Sequence, residues 1–158
     1  MQTEIDMKQK IEEYADLVYR VALTRCESIE NAEDVFQDVF LRLSMKNPKF
    51  ESKEHEKAWL IRVTINLTKN VRNMAWNRKV VSLDENMIFE TKEENDVFEK
   101  VCELSKNYRT VIYLFYYEGY KVDEISRLMN KSSGTIKTWL YRAREELRKK
   151  LEGGFDNG

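Results

Sequence analysis

The chain has 158 residues, enough for one ordinary domain or two very small ones. It contains one proline and five glycines, too few for the many turns of an all-β fold, so the composition favours an all-α fold. The 27 basic and 28 acidic side chains nearly cancel, and the total charge gives no support for nucleic-acid binding.

The sequence also argues against several other classes of protein. The longest apolar stretches, such as 111–117, are far shorter than the ~20 residues that a membrane helix needs, and the N-terminal segment 1–10 is polar. We therefore expect a cytoplasmic protein without membrane insertion. Cys26, Cys102 and His55 have no partners at metal-ligand spacing, and no phosphate loop, nucleophile elbow or catalytic triad is found. We expect no enzyme activity, metal or cofactor.

Three helices are predicted in the first half of the chain. Apolar residues at spacings of three and four predict a helix over about 5–28 and another over 32–43, with Asn31 as its N-cap and Pro48 marking its end. After a polar loop at 47–56, a third helix has the expected core stripe Leu60, Val63, Leu67, Val71 and Met74. Three such helices can enclose one core.

An acidic connector follows these helices. Residues 80–95 lack apolar periodicity, and six acidic residues lie between 84 and 96 beside a single lysine. The flanking segments are basic, with five basic and no acidic residues in 59–79, and seven basic and two acidic in 131–150. Three or four shorter helices are predicted beyond the connector, at about 96–105, 108–117, 122–129 and 133–151, punctuated by Gly119 and Asn130.

The last two helices have the spacing of a helix-turn-helix. In the final helix, Ile136, Leu140, Ala143, Leu147 and Leu151 must face inward. The opposite face then carries the residues that a recognition helix presents to a major groove: Gly134, Lys137, Thr138, Tyr141, Arg142 and Glu145. Ser132 or Ser133 can cap this helix, which would leave free amides near Gly134 and Thr135 for a phosphate.

The third helix carries a second polar face: Arg62, Asn66, Lys69, Asn70 and Asn73. Basic and amide groups beside the aromatic rings of Phe50 and Trp59 suit unstacked, single-stranded bases. The same two rings could equally complete the core of the bundle.

Three motifs, in this order, resemble the extracytoplasmic-function (ECF) group of bacterial sigma factors. Ala32 to Leu43 (AEDVFQDVFLRL) is similar to the polymerase-binding helix of that group, and Ala58 to Asn66 (AWLIRVTIN) is similar to its minus-10 helix. Gly134 to Arg144 (GTIKTWLYRAR) resembles its minus-35 recognition helix. The resemblance extends over about 14–151.

The resemblance implies two small helical domains joined by a flexible acidic linker. Residues 1–80 would form sigma region 2, a three-helix bundle, 81–95 the linker, and 96–158 region 4, a helix-turn-helix domain. The implied partners are promoter DNA, the beta-prime clamp helices and beta flap of core RNA polymerase, and an anti-sigma factor.

The resemblance also implies three sets of site residues. The core-binding face would be Asp34, Gln37, Asp38, Leu41 and Arg42. The minus-10 element would be contacted by Phe50, Lys53, Trp59, Arg62, Asn66, Lys69 and Asn70. The minus-35 element would be contacted by Ser133, Gly134, Thr135, Lys137, Thr138, Tyr141 and Arg142.

The chain departs from the pattern of the group at two positions. Asn130 stands in the turn where glycine is usual, but asparagine tolerates the left-handed conformation. Trp139 replaces a polar residue and could pack on the DNA backbone or shield the core. The competing interpretations are a helix-turn-helix regulator acting without the polymerase and an all-α interaction adaptor.

Overall fold

The computed structural model describes the backbone of residues 2–71 and 92–156 and the side chains of 4–69 and 96–153. Seven α-helices and one π-helical turn account for the regular structure in these ranges, and no strand occurs within them. The all-α prediction is confirmed. The chain divides into two compact units, Met1–Val81 and Ser82–Gly158.

The first unit contains α1 (Gln2–Arg25), α2 (Ile29–Lys46) and α3 (Lys53–Val71). Each of these helices packs against the other two. Apolar side chains recurring at three and four residues bring one face of each helix into a common core, whose fully buried members include Val21, Ala22, Val39 and Leu60.

The start of α2 differs from the prediction. Ser28, in an extended conformation, is the N-cap, and its hydroxyl accepts a 3.1 Å hydrogen bond from the backbone N–H of Asn31. The prediction that Asn31 caps this helix was wrong, because Asn31 lies buried in the first turn. The helix ends as expected before Pro48, with Asn47 in the left-handed conformation (φ 43°).

The core face of α3 also differs from the prediction. Leu60 and Leu67 are buried as expected, but Val63 is only half-buried. The rest of the buried face consists of Ile61, Thr64, Ile65 and Thr68. The threonine hydroxyls are satisfied by donating to main-chain carbonyls of their own helix, so they can be buried at little cost. The expected stripe residues Val71 and Met74 and the polar residue Asn73 lie outside the described side chains.

The second unit contains α4 (Lys92–Cys102), α5 (Lys106–Ile112), a π-helical turn (Tyr113–Tyr117), α6 (Val122–Met129) and α7 (Ser133–Asp156). Helix α4 begins at Lys92, inside the predicted linker, because glutamate and lysine are good helix formers even where apolar periodicity is weak. The rest of the predicted linker lies outside the described residues. Helix α7 runs five residues beyond the predicted end at Leu151.

The core of the second unit confirms the inward stripe of α7. Ile136, Leu140 and Ala143 are buried, while Leu147 and Leu151 are half-buried nearer the end of the helix. Helix α7 packs on α4, α5 and α6. The π-helical turn adds an aromatic layer in which Tyr113 and Tyr117 stack at 5.4 Å between ring centroids.

Candidate nucleic-acid and polymerase interfaces

The turn between α6 and α7 spans three residues, 130–132, which is the length expected of a helix-turn-helix. Asn130 adopts the left-handed conformation (φ 55°), and its N–H donates to the carbonyl of Ser126. The N–H of Lys131 donates to the same carbonyl at 3.0 Å. The expectation that asparagine can replace glycine in this turn is confirmed.

The start of α7 is fixed by two serines with different roles. Ser132 is the cap, because its Oγ accepts the backbone N–H of Thr135 at 3.1 Å and lies 2.8 Å from the Thr135 hydroxyl. Ser133 instead donates to Oδ1 of Asp123 in α6 at 2.8 Å. The expectation of a free amide at Thr135 was therefore wrong, since the cap occupies that amide.

Most of the predicted recognition face of α7 is exposed, except that Glu145 is half-buried and accepts a hydrogen bond from Arg148. Lys137, Thr138, Tyr141 and Arg142 are all exposed, and Tyr141 has 66% of its surface accessible. Gly134 is also exposed, and a Cβ added there would meet only Ser132 Oγ, at 3.9 Å.

Trp139 lies on the flank of this face. It is half-buried, between the buried stripe and the exposed residues. It is therefore partly shielded by the second unit and partly accessible to solvent.

A cluster that the sequence reasoning missed lies at the edge of this face. Arg144 Nε donates to the hydroxyl of Tyr116 at 2.6 Å, and its guanidinium lies 5.4 Å from the Phe115 ring centroid and 5.6 Å from that of Tyr116. Tyr116 is 55% exposed although it is a large aromatic residue. The only sequence signal was an aromatic run, which also describes a buried core segment.

The outward face of α2 carries the residues expected to bind the polymerase. Asp34, Gln37, Leu41 and Arg42 are exposed and Asp38 is half-buried. Arg42 Nε lies 3.4 Å from Asp38 Oδ1, one helical turn away. Leu41 is 57% exposed, and so is Met45 at 76%, a residue not predicted for this face. Large apolar side chains one turn apart on an exposed face are typical of a protein-contact surface.

The outward face of α3 carries the residues expected to contact single-stranded DNA. Arg62, Asn66 and Lys69 are exposed, and the side chain of Asn70 lies outside the described residues. Lys53, at the start of the helix, is held by Glu13 of α1, with 2.7 Å between Nζ and Oε1.

Phe50 and Trp59 form part of one aromatic cluster beside that face. Their ring centroids are 5.8 Å apart in an edge-to-face arrangement, and His55 adds a second edge-to-face contact to Phe50 at 5.3 Å. Both Phe50 and Trp59 are half-buried. They therefore support each other and the loop before α3 while keeping part of each ring accessible.

A buried carboxylate lies beneath this cluster and was not predicted. Glu56 is only 8% exposed, and its two oxygens are bonded by different residues of α1: Tyr14 Oη donates to Oε1 at 2.8 Å, and Lys10 Nζ lies 2.8 Å from Oε2. Lys10 Nζ also lies 5.5 Å from the Phe50 ring centroid. Sequence patterning placed Glu56 in a charged loop, whereas it lies in the first turn of α3.

The environment of Glu56 determines its charge. Burial alone would raise the pKa of Glu56, but hydrogen bonds from Lys10 and Tyr14 and the positive charges of Lys10 and Lys53 outweigh burial and lower it. Burial and the hydrogen bond to Glu56 raise the pKa of Tyr14 well above its usual value. The cluster therefore holds an ionised glutamate and a neutral tyrosine.

The described ranges contain neither a candidate metal site nor a helix suited to cross a membrane. No group of three or more histidine, cysteine, aspartate or glutamate side chains that could hold a metal occurs in the described part of the chain. None of the helices described is long and apolar enough to cross a membrane. Burial raises the pKa of the Cys102 thiol to about 11, which favours the protonated form over the nucleophilic thiolate.

Two family models match successive parts of the chain. The model of sigma-70 region 2 matches residues 11–78, and the model of sigma-70, region 4 matches residues 95–147. Together they span most of the chain and cover both compact units.

Curated relatives agree with these matches over nearly full length. ECF RNA polymerase sigma factor SigW from Bacillus subtilis is 27% identical, with 87% of this chain and 84% of SigW covered. ECF RNA polymerase sigma factor SigL from Mycobacterium tuberculosis is 28% identical, with 92% of this chain and 89% of SigL covered.

Two solved structures share the fold. The sigma factor RpoE from Bartonella quintana, solved in complex with the anti-sigma factor NepR, superposes with a TM-score of 0.74 at 22% identity and covers 93% of this chain and 97% of its own. CnrH, solved in complex with the cytosolic domain of CnrY, gives a TM-score of 0.63 at 18% identity and covers 95% of this chain and 90% of its own.

The matches to sigma-70 region 2 in one unit and to sigma-70 region 4 in the other define a two-part, all-α transcription initiation factor. The chain belongs to the ECF group of the sigma-70 family of RNA polymerase sigma factors.

Proposed function

We propose that this sigma factor directs core RNA polymerase to promoters by dividing recognition between its two units. The first unit, expected as region 2 over 1–80, binds the core and opens the minus-10 element. The second, expected as region 4 over 96–158, reads the minus-35 element. The chain carries out these steps in the cytoplasm and catalyses no reaction itself.

This proposal rests mainly on α7, which has a buried apolar face on one side and an exposed basic face on the other. Ile136, Leu140 and Ala143 are buried, while Lys137, Tyr141 and Arg142 are exposed on the other side and lie beyond a capped N-terminus. A helix anchored along one side and basic along the other fits a major groove. The residues proposed to contact the minus-35 element are Gly134, Lys137, Thr138, Tyr141 and Arg142, with Ser133 and Thr135 positioning the start of the helix.

The polymerase contact is proposed for the outward face of α2. Its mixed composition, in which exposed Leu41 and Met45 lie beside the Asp38–Arg42 pair, suits a protein partner better than DNA. The beta-prime clamp helices are the proposed partner of this face, and the beta flap is the proposed partner of the second unit.

The minus-10 contact is proposed for the outward face of α3 and the loop before it. Arg62, Asn66, Lys69 and Asn70 would supply polar contacts, and the accessible parts of Phe50 and Trp59 would stack on unpaired bases. Lys53 would contribute through its position at the start of the helix. The matched structures RpoE–NepR and CnrH–CnrY lead us to propose an anti-sigma partner for this chain as well.

Run-off transcription with purified core polymerase tests the function as a whole. Core alone should give little promoter-specific transcript, and adding the full chain should produce one start site on a cognate promoter. Stable, promoter-specific DNA binding without core polymerase, and no transcript with it, would indicate a stand-alone helix-turn-helix regulator instead.

A further inference from the structure

Two elements meet in the first unit at a buried, charged cluster. Glu56 in the first turn of α3 bonds Tyr14 and Lys10 of α1 at 2.8 Å each. Lys53 and Glu13 join the same two helices three residues away at 2.7 Å. The start of α3 is thus fixed to α1 by two polar links, one buried and one exposed.

Lys10 connects the buried Glu56 to the loop before α3, because it contacts both Glu56 and Phe50. Its ammonium group, held by Glu56, lies 5.5 Å from the centroid of Phe50, whose ring packs edge-to-face on Trp59. The loop is also fixed to the helix that follows it, since the Glu51 N–H donates to Nδ1 of His55 and the His55 N–H donates to Oγ of Ser52. Phe50 is therefore held from α1 on one side and from α3 on the other.

Burying an ionised carboxylate at such a position costs desolvation free energy, so stability alone does not explain its presence. An 8% exposed glutamate must be paired and fully hydrogen-bonded, and an apolar residue of similar size often stabilises a fold as well or better. A link with two defined hydrogen bonds, in contrast, fixes the direction of the groups that it joins. Its geometry is thus better suited to orienting the loop than to stabilising the bundle.

We propose that Glu56 is a positioning residue for promoter opening: through Lys10 and Tyr14 it presets the loop carrying Phe50, so that this ring meets an unpaired base without rearrangement. The inference rests on the proposed function of α3 and its loop in opening the minus-10 element. Glu56 itself touches no DNA.

The test uses holoenzyme assembled from core polymerase and the full-length chain. Opening of a promoter with 2-aminopurine in its minus-10 element is followed by stopped-flow fluorescence for the parent, Glu56→Gln, Phe50→Ala and the double variant. Glutamine keeps the size of the side chain but loses the charge that holds Lys10. Glu56→Gln should slow opening by about three- to tenfold without changing core binding, because the glutamine oxygen can still accept a neutral hydrogen bond and only the additional strength of the charged one is lost.

The double variant separates positioning from stability. If Glu56 acts through the Phe50 loop, Glu56→Gln should slow opening no further in the Phe50→Ala background. Thr64→Val, which removes a buried hydroxyl from the same helix, is the matched control and should leave the opening rate unchanged. Tyr14→Phe removes one donor to Glu56 with minimal change of shape, and it replaces Glu56→Gln if that variant fails to fold.

The outcomes separate this inference from the proposed function. Full additivity of the two single variants, or an equal slowing by Thr64→Val, would show that Glu56 only stabilises the bundle and would overturn the inference. A parent chain that gives no promoter-specific opening with core polymerase would overturn the proposed function itself.

Discussion

The Nε of Arg144 donates a 2.6 Å hydrogen bond to the hydroxyl of Tyr116, which fixes a guanidinium beside the recognition face of α7. The two residues are 28 positions apart, and the contact joins the π-helical turn to α7. Because Tyr116 is 55% exposed and Arg144 is also exposed, the pair presents both a planar cation and an aromatic side chain to solvent. Arginine held in this way is suited to a phosphate at the margin of a DNA contact.

Arg144→Ala should weaken DNA binding equally on all minus-35 sequences, because a phosphate contact carries no sequence information. The slope of log affinity against log salt should fall by about 1. Tyr116→Phe, which removes only the oxygen, should give a smaller loss in the same direction. Holoenzyme binding to a panel of promoter variants at several salt concentrations measures both. A loss confined to one base position would contradict the phosphate assignment.

Arg142 lies on the exposed recognition face, so we expect it to contact a base, whereas Arg144 is expected to contact a phosphate. If Arg142 bonds a guanine, Arg142→Ala should cost about 1 to 3 kcal/mol on the cognate sequence and relax discrimination at one position. The same promoter panel and salt series provide the measurement. If neither affinity nor salt dependence changes, the face does not touch DNA and the minus-35 assignment fails.

Replacing Asp38 and Arg42 together by alanine should weaken binding to core polymerase while leaving the fold intact. Their side chains are each 44% exposed and their ion pair joins consecutive turns of one helix, so removing both should cost at most about 1 kcal/mol of stability. Circular dichroism checks helicity, and a pull-down with purified core checks binding. Glu33→Ala, an exposed acidic change on the same helix outside the proposed set, is the control. If the double variant binds core polymerase as well as the parent does, this face of α2 is not part of the polymerase interface.

Asn66→Ala should impair opening of the minus-10 element more than formation of the closed complex. An exposed amide on α3 can bond the Watson–Crick edge of an unpaired base, and that edge is occupied by base pairing in duplex DNA. Transcription from duplex and pre-melted templates separates the two steps. Parent-like activity of the variant on both templates would exclude Asn66 from opening.

The helical spacing of apolar residues predicted the buried face of a helix correctly wherever a single apolar stripe determined how that helix packs. The inward face of α7 and the bounds of α6 are as expected, and Asn130 turns the chain as its tolerance of positive φ allows. The α3 face was less predictable, because Thr64 and Thr68 look polar in sequence but are buried once their hydroxyls bond the main chain.

Contacts distant in sequence could not be predicted from spacing. Glu56 lies 42 positions from Tyr14, and nothing in the pattern Glu54, His55, Glu56 distinguishes the buried carboxylate from the exposed one. Pairing Tyr116 with Arg144 likewise requires knowing how the π-helical turn packs on α7. The face of a helix follows from sequence, whereas its polar partners follow only from tertiary structure.

The acid sensitivity of the first unit should depend measurably on Glu56. Burial opposes its ionisation, yet Lys10 and Tyr14 lower the pKa of Glu56 below its unfolded value of about 4.3. A group with a depressed folded pKa contributes stability that is fully present above the unfolded pKa and lost as the pH falls through the folded pKa. Glu56→Gln should therefore lower the melting temperature at pH 7, and the difference from the parent should shrink between about pH 5 and pH 3. Thr64→Val is the matched control, because a hydroxyl does not titrate and its effect should stay constant over that range. Thermal unfolding followed by circular dichroism across the pH series measures both differences. A Glu56→Gln difference that stays constant with pH would mean that Glu56 is not held ionised by its α1 partners.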